Sequence, residues 1–503
     1  MTAEPDLMGG TKPVTRRLDA AALGELAQCG MGLPYERTAL QPGIVHIGIG
    51  AFHRAHMAHY IHRLLATEPG WAIVGASLRR PDTRDALEPQ NYLYSLSTSD
   101  DTSIRTEIIG SVIDIIDASV GSEALLRQLA QPSIRIVSLT VTEKGYCHEP
   151  GSGALQLTHP DIMHDLANGR TPRSVPGILV AALAERRARG LGGFTVLSCD
   201  NLQGNGRIIR RAVLDFARLH DAALAEWIDH NASFPGTMVD RIVPSTTDQD
   251  RAEVAQKLSY QDAWPVMSEP FTQWVVEDDF VNGRPALETV GVQMVDDVEP
   301  FERMKLRMLN GAHSAIAYLG LLQNKTFVAE VVADPVARQF LRRQMLTEAA
   351  PTLPLPAAEM ERYADRLLER FANPELKHRC AQIAMDGSQK LPQRILAPVR
   401  ERLSRDEQVP LMALTLAAWI GWIERCATDP DSVLVDPMAE TLLVVLSSAG
   451  NSSFNRVQAI LSIEAIAGKD LVQSASLVAA IASHLDRLAE GGPLSAMEAA
   501  INL

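Results

Sequence analysis

No two cysteines of this chain stand in a CxxC pair, and the motifs HExxH, GxxxxGK[ST] and Tyr-x-x-x-Lys are all missing. These gaps remove support for a zinc knuckle, a zinc hydrolase, a P-loop NTPase and the base pair of short-chain dehydrogenases. The five cysteines (Cys29, Cys147, Cys199, Cys380 and Cys426) are odd in number and widely spaced. They read as reduced thiols of a cytoplasmic protein rather than a disulfide framework. The first ten residues, MTAEPDLMGG, lack the basic start and apolar run of a signal peptide. The most apolar long stretch, 409–423, falls short of the ~20 residues that span a bilayer and is expected to be a buried helix. Positive charge is in deficit, with 47 Lys and Arg against 61 Asp and Glu and a formal net charge of −14. That balance argues against nucleic acid or an anionic membrane as the main partner.

What remains is an ordinary globular composition, 46% hydrophobic and 21% charged over 503 residues, long enough for two to four domains. Residues 1–40 read as an N-terminal extension with a short helix near 20–27. From 41 to 288, runs rich in branched apolar residues (44–47, 72–78, 134–141 and 194–199) alternate with helical stretches (122–130, 177–189 and 207–219). Near-continuous apolar strands separated by helices predict a mostly parallel sheet covered on both faces. From 289 to 503 the strand signals vanish and helical spacing recurs over 300–320, 326–349, 357–372, 390–404, 409–427, 436–448 and 453–466. The fold expected is an α/β domain followed by an all-helical C-terminal domain, with a cleft between them as the natural ligand site.

The first strand runs into Gly48-Ile49-Gly50-Ala51-Phe52-His53-Arg54. Gly48 permits a tight bend and Gly50 lets backbone approach a pyrophosphate, while His53 stands where the fingerprint has its third glycine. Cofactor contacts are expected from Gly48, Gly50, Phe52, His53, Arg54 and Arg79. After the second strand come Ser77, Leu78, Arg79, Arg80 and Pro81, with Asp82 the first acid. An acid there suits the ribose of NAD, and Arg79 or Arg80 suits the 2′-phosphate of NADP, so the two cofactors stay open.

Two later strands also end in polar clusters, Thr142-Glu143-Lys144-Gly145-Tyr146 and Asp200-Asn201-Leu202-Gln203-Gly204-Asn205. Ligands of open parallel sheets bind at such strand ends. Turn duty for Asp200 and helix capping by Asn205 are the plain alternatives. Asp240 and Arg241 lie inside an apolar run, where a structural pairing is the default reading. At the head of the helical half, Pro300 follows Asp296, Asp297 and Glu299, and the helix carries Lys305, Asn310 and His313. At about 100° per residue these three lie near 0°, 140° and 80°, with ~12 Å of rise between Lys305 and His313.

Together GIGAFHRAH, TEKGY, SCDNLQGNG, FPGTMVDRIVP, KLRMLNGAHS and LVDPMA resemble the mannitol dehydrogenase family of long-chain polyol and sugar-acid dehydrogenases. The resemblance implies a Rossmann-type domain, a helical C-terminal domain, a nicotinamide cofactor leaning towards NAD, and metal-independent hydride transfer. It also implies Lys305 as acid/base, Asn201 and Asn310 as holders of the reacting oxygen, and Asp240 and His313 as groups that bind hydroxyls or relay protons. VSLTVTEKGYCHE, EPFTQWVVEDDFVNGRP and QIAMDGSQKLPQR are closer to the fructuronate reductases (D-mannonate oxidoreductases) than to the mannitol 2-dehydrogenases. A uronate carries a carboxylate that Lys144, Lys390 or Arg394 could neutralise. The partner expected is therefore a small sugar acid or polyol, and the protein a monomer or weak oligomer. A catalytically silent nucleotide-binding sensor is the reading from another class.

Overall fold

The computed structural model describes residues 16–99, 104–149 and 153–503, so the acidic start read from the first ten residues lies outside it. The chain divides into two compact units, one ending at Val298 and one from Glu299 to Leu503.

The strands of the first unit are β1 (Pro42–Ile47), β2 (Ala72–Ser77), β3 (Tyr94–Ser99), β4 (Ile104–Ile109), β5 (Val112–Asp117), β6 (Ile136–Leu139), β7 (Thr195–Ser198), β8 (Thr237–Asp240), β9 (Val266–Ser268), β10 (Gln273–Glu277) and β11 (Gln293–Val295). Five of them form a wholly parallel sheet in the order β5-β2-β1-β6-β7. This is the doubly wound arrangement whose order reverses at β1, so the crevice between β1 and β6 is where such sheets bind ligands. The alternation of a strand explains the two cores. Val45 and Ile47 pack with Val137, Val196 and the helix Val175–Ala188 on one face, while Ile44 joins Ile73, Ile136 and the helix Met57–Leu64 on the other. Each such fully buried branched side chain contributes about 1.5–3 kcal/mol.

Two three-stranded sheets, β4-β3-β9 and β11-β10-β8, complete the unit. The sequence reading contained only the long parallel sheet. The added strands were missed because β3 (YSLSTS) and β4 (IRTEII) together carry more polar than apolar side chains, and β9 and β11 span three residues each. Near the start, Ala20–Ala22 winds as a 3₁₀ turn capped by Asp19 and continues into the helix Leu23–Gln28.

In the second unit the expected buried helix is Pro410–Thr428, packed against Gly311–Leu322 and Ala475–Ile501. Its first free amides, Leu411 and Met412, donate to the buried carboxylate of Glu348 at 2.8 and 2.7 Å. Among the described residues no helix is long and apolar enough to cross a membrane. The stretch 326–349 is not one helix: Asp334 caps a new start before Pro335, and Gln344–Ala349 winds as a π-helix. The helix Ala475–Ile501, interrupted at Gly492-Pro493, was not anticipated.

Candidate active site

The bend after β1 is built for close approach. Gly48 has φ +98°, and a Cβ there would lie 2.1 Å from the Thr140 carbonyl oxygen. That carbonyl belongs to the neighbouring β6 end, so only glycine fits. The Gly48 carbonyl in turn accepts from Thr140 Oγ1 at 2.7 Å. Gly50 caps the next helix, and a Cβ on it would meet no protein atom nearer than 3.9 Å. Both glycines line a cavity of about 670 Å³ outside the carboxyl ends of β1, β2, β5 and β6.

Arg79 shares this cavity with the two glycines, and so do Arg80 and Asp82. Phe52, His53 and Arg54 are not among its walls, although the sequence grouped them with the glycines. Arg54 is buried, donates to the Trp264 carbonyl at 2.6 Å and lies over the Tyr94 ring. His53 is buried flat on His46, and Phe52 stacks on His56. The short helix Ala51–Ala55 thus turns two of its three candidates into the core. Sequence reading missed Ser119, Gly121 and Ser122, which line the cavity beyond β5, because β5 itself went unrecognised. Cys147 is a further wall residue whose thiol burial pushes up to about 12, so it is protonated near neutrality.

The polar strand ends form one connected rim. Asp200, 9% exposed, accepts from the Val141 amide at 3.0 Å, the Thr142 amide at 2.8 Å and the Tyr146 hydroxyl at 2.7 Å. Burial holds its carboxyl above the ordinary value, against the pull of those three donors. Helix capping, the plain alternative for Asn205, does not apply: Gly204 caps the helix, and Asn205 is its first residue. Its side-chain amide donates to the carbonyls of Asp200 and Thr237 and accepts from the Thr237 amide, joining β7 to β8. On this framework Lys144 and Asn201 are exposed and Asp240, at the end of β8, is buried. Arg241 donates to the Glu269 carbonyl, which anchors its buried charge to the segment that follows β9.

In the helical unit the regular α-helix assumed for Lys305, Asn310 and His313 does not hold. Residues Lys305–Asn310 wind as a π-helix between α-helical Glu299–Met304 and Gly311–Leu322. With i→i+5 bonding each residue turns through less than 100°, so the angles and rise expected from α geometry fail across this segment. Its far side is fastened by Arg307, which pairs with Glu401 at 2.5 Å and donates to the Thr352 carbonyl at 3.0 Å. Lys305 is buried at 9% exposure.

His313 is buried as well, with its ring 4.6 Å from Phe371 and 5.2 Å from His378. Its Nε2 has no hydrogen-bond partner among the described residues. Burial, helped by the charges of Arg370 and Arg394, holds this imidazole far below its ordinary pKa and therefore neutral. Arg394 donates to the Asn310 carbonyl at 3.5 Å and to Ser314 Oγ at 3.3 Å. Lys390 donates to the Met385 carbonyl at 2.6 Å, with Asp386 3.7 Å away. The structure therefore gathers Asn310, His313, Lys390 and Arg394 into one neighbourhood. Arg370, Phe371 and His378 were not singled out from sequence, since only the tertiary fold brings them to His313.

Residues 42–289 match the family model for the mannitol dehydrogenase Rossmann domain, and residues 297–489 that for the mannitol dehydrogenase C-terminal domain. The chain is 45% identical to the uncharacterized oxidoreductase YeiQ of Escherichia coli (strain K12), covering 92% of this chain and 95% of that protein. It is 44% identical to the D-mannonate oxidoreductase of the same organism, covering 91% and 95%. Among solved structures, the Pseudomonas fluorescens mannitol 2-dehydrogenase in ternary complex with NAD and D-mannitol is 38% identical, with a TM-score of 0.78, covering 97% of this chain and 99% of that one.

Proposed function

The chain belongs to the mannitol dehydrogenase family of oxidoreductases, and on that footing we propose that it interconverts D-mannonate and D-fructuronate with NAD. The observation that carries the sugar-acid reading is the setting of Arg394. Its guanidinium is largely withdrawn from water, which lowers its pKa, yet its hydrogen bonds go to a neutral carbonyl and a hydroxyl. Lys390 beside it has its own pKa lowered by burial and then by the Arg394 charge. Lys390 already has the Asp386 carboxylate 3.7 Å away, whereas Arg394 has no carboxylate partner among the described residues, and a planar guanidinium suits one. A polyol offers no such charge.

The cavity at the glycine bend fits a dinucleotide. Gly50 leaves open the space a Cβ would fill, and Arg79, Arg80 and Asp82 stand at the second strand end. Gly48 and Gly50 would lie along the pyrophosphate, with Arg79 or Asp82 at the adenosine ribose. A nicotinamide held there would supply hydride exchange with the carbinol carbon. The chain's own part is proton and charge management. Lys305 takes the hydroxyl proton in oxidation and gives it back in reduction. Asn201 and Asn310 donate amide N–H groups to the developing oxyanion without transferring a proton themselves. Asp240 binds a substrate hydroxyl, and neutral His313 offers its unpartnered Nε2 to another. Lys144 supplies a further cation at the rim.

The test is a matrix of NADH and NADPH against D-fructuronate and D-fructose, followed by the near-ultraviolet absorbance of the reduced nicotinamide. Oxidation of NADH with fructuronate supports the reading. Turnover of fructose alone favours a mannitol 2-dehydrogenase, the activity named for the solved relative. Silence with every keto sugar and keto acid favours a nucleotide-binding sensor.

A further inference from the structure

Thr142 has φ +64°, a left-handed backbone in which a β-branched residue is a rare outlier. Such a conformation persists where the surroundings over-determine it, and what determines it here is Asp200. One carboxylate oxygen takes the Thr142 amide at 2.8 Å, and the other takes the Val141 amide at 3.0 Å and the Tyr146 hydroxyl at 2.7 Å. Both oxygens must therefore accept. An asparagine in this place has one acceptor only, and its NH2 would face a backbone N–H.

The turn so held, Thr142–Gly145, carries Lys144. The same residue 200 is the immediate neighbour of Asn201, and its own carbonyl accepts from Asn205 at 3.1 Å and from the Leu202 amide at 2.8 Å. Side chain and main chain of one residue thus tie the β6 end, the β7 end and, through Asn205 and Thr237, the start of β8, the strand that carries Asp240.

We propose that Asp200 is a positioning residue: its carboxylate clamps the β6 turn to the β7 end and thereby sets the placement of Asn201 and Lys144 towards the substrate. This rests on the functional reading given above. Misplacing an oxyanion donor by a fraction of an ångström lowers turnover far more than it loosens a cofactor whose proposed anchors, Gly48, Gly50 and Arg79, stand on other strand ends of the cavity that Val141 and Gly145 also line.

The experiment uses the full chain carrying Asp200→Asn. Its kcat is expected to fall about ten- to a hundredfold while the Kd of NADH, read by fluorescence, stays within about threefold. Amide exchange at Val141 and Thr142 is expected to speed up by about tenfold or more. Wild-type kcat in the variant, or a loss of NADH affinity matching the loss of kcat, overturns the proposal. Should Asp200→Asn fail to fold, Tyr146→Phe withdraws one donor from the same carboxylate. That variant should lose about threefold in kcat at unchanged NADH affinity, and full kcat overturns the proposal there too. If the wild-type chain turns over no keto sugar or keto acid, the functional reading fails separately, while unchanged amide exchange in Asp200→Asn still overturns the clamp.

Discussion

The imidazole of His53 lies flat on that of His46, with ring centroids 3.4 Å apart and planes 11° from parallel. His46 is satisfied by Ser138 Oγ at 2.8 Å and Thr140 Oγ1 at 2.9 Å. Neither nitrogen of His53 has a partner among the described residues, although the ring is fully buried. Burial holds the His46 pKa down to about 3 and that of His53 well below the ordinary 6.5.

A depressed histidine pKa has a definite consequence for acid stability. Below the ordinary value of 6.5 the unfolded chain takes up protons that the folded His46 refuses until about 3. Stability is fully present above that ordinary value and is lost as pH falls through the interval, by up to about 1.4 kcal/mol per pH unit for each such group. His53→Phe keeps the stacked ring and removes two unsatisfied nitrogens. It is expected to stabilise the fold by about 1 kcal/mol at neutral pH and by more near pH ~5. Urea unfolding at the two pH values checks this, and equal or lower stability at both counts against it.

Gly48 and Gly50 should part company on substitution. Alanine at Gly48 needs φ +98° and drives its Cβ against the Thr140 oxygen, so a loss of about 3 kcal/mol or more is expected. Alanine at Gly50 meets no such obstacle and should fold normally while weakening NADH binding about tenfold. Thermal unfolding and fluorescence titration of both variants separate the outcomes. Tight NADH binding by Gly50→Ala would remove that glycine from the cofactor site.

Arg394→Met tests the charge reading of the helical unit. The KM for D-fructuronate should rise about ten- to a hundredfold, the size of a lost charge-assisted hydrogen bond, and the KM for D-fructose should move less than about threefold. An equal rise for both substrates would make Arg394 a support for Asn310 and Ser314, the groups it already bonds.

Lys305→Ala is expected to lower kcat by about a hundred- to ten-thousandfold with NADH affinity unchanged. Asn310→Ala should lower kcat by more than it weakens NADH binding. Hydride transfer near wild-type rate across the pH range in the lysine variant would take Lys305 out of the acid/base role.

The parts legible in the sequence are those whose signal is local. The runs ending at Ile47, Ser77, Leu139 and Ser198 are rich in branched apolar residues because helices cover both faces of the sheet, and the glycines after β1 mark the bend directly. The hairpin of β3 and β4 was not legible, since more than half its side chains are polar. The same holds within the site. Lys305, Asn310 and His313 sit in one apolar stretch with helical spacing, yet nothing in KLRMLNG distinguishes π from α winding. His53 and Arg54 follow the glycines in sequence but are taken up by His46 and Trp264, residues whose approach no spacing rule reveals.

The π-wound stretch Lys305–Asn310 holds more residues per turn than α geometry admits, and that surplus has an engineering consequence. Deleting a single residue such as Leu306 would return the helix to ordinary pitch and to full i→i+4 bonding. Five residues at α pitch turn about as far as six at π pitch, so the helix beyond the deletion would keep its facing while the residues inside the segment, Arg307 and Met308 among them, would turn away from their present directions. Such a chain could melt higher than the parent and still lose the direction from which Arg307 meets Glu401 and the Thr352 carbonyl. Attempts to regularise this helix for robustness therefore trade directly against alignment, and libraries that permit indels should treat these six positions as a fixed-length block.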